Sequence, residues 1–151
     1  MKNSNFKYLV ILASIVFASC EKKQNLGSQR FLNEKLNAVS SRVAQEYSKN
    51  DANINLSPDN LLYNNYKNLK DEEKGKIRAV AYRFYKHVKV ENGRLNVNIK
   101  NGNEINISEQ LFNTLNQNIN QTNRFIDSLS QKGVKIEPPV FTEDYLNGLI
   151  K

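Results

Sequence analysis

The sequence predicts an α+β domain in which helices flank a small three-stranded antiparallel meander. Two observations carry this expectation. Apolar residues recur every three or four positions over residues 28–50, 57–88, 108–132 and 142–150, the period of an amphipathic helix. Between Val88 and Ile107 the period shortens to two, and Asn92-Gly93 and Asn101-Gly102 interrupt the runs. Asn-Gly between alternating apolar residues is the strongest short-range hairpin signal.

Each element has its own reason. In Ser28–Asn50 the apolar positions are Leu32, Leu36, Val39, Val43 and Tyr47, with Gln29, Glu34, Lys35, Ser41 and Arg42 on the opposite face. Residues 51–56 read as extended chain or loop. Ser57-Pro58 then starts a short helix, serine as the cap and proline at the first helical position, with Leu62, Tyr66 and Leu69 as its stripe. Asp71 is placed to cap a further helix whose core side is Ile77, Val80 or Ala81, Phe84 and Val88; Gly75 weakens it locally.

Register in the meander follows from pairing. A two-residue turn at Asn92-Gly93 sets Val90 opposite Leu95 and Val88 opposite Val97, all on one face. A three-residue loop at Asn101-Gly102-Asn103 sets Ile99 opposite Ile105 and Val97 opposite Ile107, with Lys100 across from Glu104. Ser108 caps the next helix, Phe112, Leu115, Ile119, Thr122, Ile126 and Leu129 face its core, and Gly133 stops it. Pro138-Pro139 ends a short connector. Thr142 caps a last helix with Tyr145, Leu146, Leu149 and Ile150.

The N-terminus carries a different kind of information. Lys2 and Lys7 precede ten largely apolar residues, Tyr8 to Phe17, and the small pair Ala18-Ser19 precedes the chain's only cysteine, Cys20. The run is shorter than the about 20 residues of a permanent span. Positive start, apolar run and small residues before a cysteine resemble the signal peptide of bacterial lipoproteins, over residues 1–20; Phe17 stands where that pattern most often has Leu. The resemblance implies a signal at 1–19, cleavage before Cys20, and a diacylglyceryl group on its sulfur with further acylation of the new amine. Two or three chains on one residue hold a protein far more firmly than one myristoyl chain does. Residues 20–27 then read as lipidated cysteine and tether, and residues 28–151 as one domain. In enteric bacteria Asp after the lipidated cysteine favours inner-membrane retention. Glu21 stands there, so the resemblance implies the outer membrane, and Glu21-Lys22-Lys23-Gln24 lacks the acidic cluster of surface-exported lipoproteins, so the domain is expected to face the periplasm.

Composition narrows the partners. Formal net charge is +7; without Lys2 and Lys7 the basic count falls from 22 to 20 against 15 acids, about +5. Like charges do not form blocks, so no nucleic acid is expected. With Cys20 lipidated, no disulfide is available. Asn55-Leu56-Ser57, Asn106-Ile107-Ser108 and Asn120-Gln121-Thr122 match a glycosylation acceptor, as chance allows in an Asn-rich chain.

Candidate chemistry is sparse. His87 is the only histidine; it falls between helix and strand, without the frame of a nucleophilic catalyst. Alternating oxygens at Asp51, Asn53, Asn55, Ser57 and Asp59 suggest a calcium loop, but Leu56 and Leu62 stand where glycine and a bidentate Glu are required. Asp71-Glu72-Glu73 suits a helix dipole better than acid–base work. Asp127-Ser128-Leu129 resembles a short O-glycosylation acceptor of exported Bacteroidota proteins. Arg78, Tyr82, Tyr85 and Lys89 recur at helical spacing and are the candidate binding face, two aromatics for contact area and two bases for an anionic partner. No cofactor, metal or catalytic residue is expected. The function expected is a non-enzymatic, membrane-anchored envelope lipoprotein that binds an envelope protein or anionic envelope polymer. The alternatives are a carboxylate-based enzyme on envelope polymer, and an inhibitor or immunity lipoprotein.

Overall fold

The computed structural model describes residues 29–61, 63–66, 68–134 and 136–151. The signal segment, Cys20 and the tether lie outside the described residues, as do Leu62 and the side chains of Leu32 and Leu36. Helix α1 (Gln29–Lys49) leads into a 3-10 turn, Pro58–Leu61, and a single helical turn, α2 (Tyr63–Tyr66). Then come α3 (Asp71–Tyr85), the strands β1 (Val88–Glu91) and β2 (Arg94–Val97), a second 3-10 turn (Gly102–Ile105), α4 (Glu109–Gln131) and α5 (Glu143–Ile150).

The centre of the core is α3. It buries Ile77, Val80, Ala81 and Phe84, as its period predicts, and also Gly75, Ala79, Arg83 and Tyr85. A helix buried on more than one side must be approached from several directions. At Gly75 α1 comes close: a Cβ there would lie 2.6 Å from the Ser40 carbonyl oxygen and 2.7 Å from Val43 Cβ. Glycine is therefore what lets α1 cross α3 at this point. That contact also fixes how α1 is turned. Ser40, Val43 and Ala44 face inward, and Val39, expected in the core, is 41% exposed.

The first hairpin forms in the expected register, Val90 opposite Leu95 and Val88 opposite Val97. Asn92 and Gly93 both take positive φ, 52° and 75°, the turn whose twist suits the flanking strands. The three-stranded meander, however, is not there: among the described residues the sheet has two strands, and the domain is mixed α+β and helix-rich. Two causes act together. The place beside β2 is taken by Asn123 of α4, whose side chain accepts from the Leu95 N–H and donates to the Leu95 carbonyl, both at 2.9 Å. A side-chain amide thus occupies the ladder position a third strand would need.

Local chemistry diverts the chain as well. Asn101 Oδ1 accepts from the Glu104 N–H at 3.3 Å and caps the 3-10 turn, while Glu104 reaches back to the Lys100 N–H at 2.9 Å. Lys100 and Glu104 do meet, but through backbone and within one turn. Asn106 then reverses the chain at φ 53°. Ile105 and Ile107 are buried all the same; Ile107 makes a single parallel bridge to Ile54.

The last two helices follow the sequence closely. Ser108 Oγ accepts from the Leu111 N–H, and Gly133, at φ 76°, ends α4 with its own N–H bonded to Ser130 and that of Val134 to Leu129. Thr142 Oγ1 caps α5 at Tyr145, and Leu146 and Leu149 pack into the core.

Candidate interaction surface

Two arginines of α3, five positions apart, do work that a sequence reading assigns to solvent or to a partner. Arg78 Nε donates to the Leu149 carbonyl at 2.7 Å, Nη1 to the hydroxyls of Ser40 and Ser41 at 3.1 and 3.2 Å, and Nη2 to the Lys151 backbone oxygen. It joins α1, α3 and the end of α5. Arg83 is buried more deeply. Its Nη1 donates to the carbonyls of Ala52, Ile105 and Asn106 at 3.0, 3.2 and 2.7 Å. Its Nη2 donates to those of Tyr47 and Asn50, the latter at 2.6 Å.

Both guanidiniums therefore meet carbonyls at the C-terminal end of a neighbouring helix, α5 for Arg78 and α1 for Arg83, where positive charge complements the helix dipole. Burial lowers the pKa of each, opposed by the field of Tyr66 at Arg78 and of Asp51 at Arg83.

The four residues of the candidate binding face are separated by this arrangement. Tyr85 is 1% exposed; its ring stacks on Phe141 at 4.4 Å and meets Phe84 edge-on at 5.5 Å. Among the described residues nothing hydrogen-bonds its hydroxyl or that of Tyr145, and burial pushes the Tyr85 phenol well above its usual pKa and Tyr145 to about 12. Tyr82 is half-buried against the core, Arg78 is tied as described, and Lys89 is exposed on β1. The tyrosine at 85 is a core residue because α3 is buried on both sides of the stripe, which leaves no free flank at that position. No open face contains all four.

The other sequence candidates fall as follows. His87 is half-buried in the link between α3 and β1. Burial holds its pKa below the usual imidazole value, assisted by Lys86 and opposed by Glu104. Asn50 turns the chain after α1, its Oδ1 accepting from the Ala52 N–H at 3.1 Å, and Ser57 Oγ accepts from the Asp59 N–H at 3.3 Å; these oxygens serve turns. Glu73 accepts from the Lys70 N–H at 3.2 Å and caps α3. Glu72 accepts from Lys76 Nζ at 2.7 Å, which lowers its pKa. Asp127 pairs with Arg94 at 3.1 Å, and Ser128 is exposed.

Among the described residues no group of three or more His, Cys, Asp or Glu could hold a metal ion, and no helix is long and apolar enough to cross a membrane. What the surface does offer is unpaired apolar area: Phe125 on α4, Val134, Ile136 and Val140 on the connector, and Val90 on β1 are all more than a third exposed. Arg83 and Asn123 are the residues sequence reasoning missed. Arg83 had a signal, a lone cation inside the run Ala79 to Tyr85. Asn123 had none among so many asparagines. No family model matches the chain, and neither a curated protein nor a solved structure matches it.

Proposed function

We propose that this chain is a bacterial envelope lipoprotein, anchored by lipid on Cys20 to the outer membrane and facing the periplasm, whose α+β domain is a non-enzymatic binding module for another envelope component. The observation that carries the reading is the N-terminal pattern itself: Lys2 and Lys7, the apolar run Tyr8 to Phe17, and Ala18-Ser19 before Cys20. The exposed apolar side chains Phe125, Val134, Ile136 and Val140 support a role in contact with a partner, since exposed apolar groups at a surface are what a binding face contributes.

The experiment is metabolic labelling with a fatty acid in a bacterial host, followed by fractionation. The wild-type chain takes up label and sediments with outer membranes. Cys20→Ala takes up none. Label retained by Cys20→Ala overturns the anchor. Protease added to intact cells leaves the domain whole if it faces the periplasm; its digestion contradicts that placement.

A further inference from the structure

The two edges of the hairpin are not equivalent. In a hairpin closed by a two-residue turn, bonded and non-bonded pairs alternate outward from the turn. Glu91 and Arg94 flank the turn, so the bonded pairs are 91 with 94, 89 with 96 and 87 with 98; the bond from the Asn98 N–H to the His87 carbonyl at 2.9 Å is the last of them. Val88, Val90, Leu95 and Val97 therefore aim their backbone groups away from the hairpin. On the β2 side Asn123 satisfies both groups of Leu95. On the β1 side no hydrogen bond among the described residues reaches the backbone of Val90. That residue is 38% exposed, and Lys89 and Glu91 beside it are exposed, whereas Val88 is 6% exposed and covered.

We propose that this free edge pairs antiparallel with the same edge of a second copy of the chain, centred on Val90. Three symmetric registers bring outward-pointing groups together. Centring on Val88 requires a covered residue, and sets Glu91 against the buried Tyr85 at the end of α3. Centring on Lys89 sets the two Lys89 ammoniums opposite each other and again needs Val88. Centring on Val90 uses the accessible residue, exchanges two N–H to carbonyl bonds, and sets Lys89 against the other copy's Glu91 on both sides of the twofold. Opposite charges across strands stabilise and like charges destabilise. The edge is three residues long, far below the roughly 1,200 Å² of a stable interface, so pairing is weak in dilute solution. It does not depend on the proposed anchor.

The test is disulfide trapping in the full chain carrying Cys20→Ser, so that a single engineered cysteine reports. Cα atoms of a bonded antiparallel pair lie about 5.5 Å apart, inside disulfide range. Val90→Cys is expected to form a covalent dimer under mild oxidation, well above the collisional yield of Asn113→Cys on the exposed face of α4. Lys89→Glu or Glu91→Lys added to Val90→Cys lowers the yield roughly tenfold, and both together restore it. A yield at Val90→Cys no higher than at Asn113→Cys overturns the proposal, and so does failure of the double exchange to restore trapping.

Discussion

Arg78 and Arg83 offer a comparison within one helix. Both end at helix C-termini, and both make at least four hydrogen bonds to neighbouring segments. They differ in what those segments could do without them. Two of the acceptors of Arg78 are serine hydroxyls, which can turn to water or to backbone, and the other two lie at the end of α5. Those of Arg83, apart from Asn50 Oδ1 at 3.4 Å, are backbone carbonyls from three stretches, the end of α1, residues 50–52 and residues 105–106, with no regular ladder among them. Among the described residues, two backbone bonds join residue 54 to the 106–108 segment: Ile54 N–H to Asn106 and Ser108 N–H to Ile54, at 3.0 and 2.9 Å. Arg78 fastens one helix end. Arg83 substitutes for a missing sheet.

The largest expected effect follows from that difference. Arg83→Met keeps apolar bulk and removes the donors, leaving the buried Ile105 carbonyl and four part-buried carbonyls without that partner. It should cost about 3–5 kcal/mol, since each unmet buried acceptor carries a penalty of roughly 1–3 kcal/mol; urea unfolding measures it. A loss below 1 kcal/mol means that water reaches this region. Next comes the Arg78 end. Gly75→Ala gains helix propensity of about 1 kcal/mol but drives a methyl against the Ser40 carbonyl and Val43. A net loss of roughly 1–3 kcal/mol is expected from such overpacking, and a gain means α1 moves aside freely. Arg78→Met itself should cost about 1–2 kcal/mol, smaller because its serine partners are adaptable.

Between pH 7 and pH 5 acid should act through His87, near the Arg83 end, with the smallest of these effects. His87 follows α3 directly, and burial lowers its folded pKa below the unfolded value of about 6.5. The unfolded chain therefore binds more protons in the window below 6.5, and stability rises with pH there. The contribution is fully present above that value and lost as pH falls through the folded pKa. A small decline in melting temperature from pH 7 to pH 5 is expected, and His87→Gln should flatten it. An unchanged slope assigns the decline to other groups.

These contrasts also mark what the sequence could and could not disclose. Caps and stops depend on neighbouring residues alone, so Ser108, Gly133, Thr142 and the Asn92-Gly93 turn were legible, and with them α4, α5 and the hairpin register. The third strand was not. Ile105 and Ile107 alternate as a strand would and are buried as a strand's would be, but the edge they needed is held by Asn123, from a helix that begins later in the chain. Val39 failed for a related reason: the glycine that turns α1 lies 36 positions away in sequence. Periodicity names a face, and a distant contact chooses which face it is. The same holds for Tyr85, whose spacing fits a binding face but whose surroundings include Phe141 from the far end of the chain. The N-terminal pattern is read from contiguous residues, and for that reason it carries the functional proposal.

Native-state hydrogen exchange in the two methionine variants tests the comparison most directly. The amides of Ile54 and Ser108 lie in the bridge that Arg83 supports, and those of Leu149 and Ile150 lie at the helix end that Arg78 supports. Arg83→Met should speed exchange at Ile54 and Ser108 by at least tenfold more than at Leu149 and Ile150, and Arg78→Met should do the reverse. Uniform acceleration at all four amides in either variant would contradict the division of labour between the two arginines.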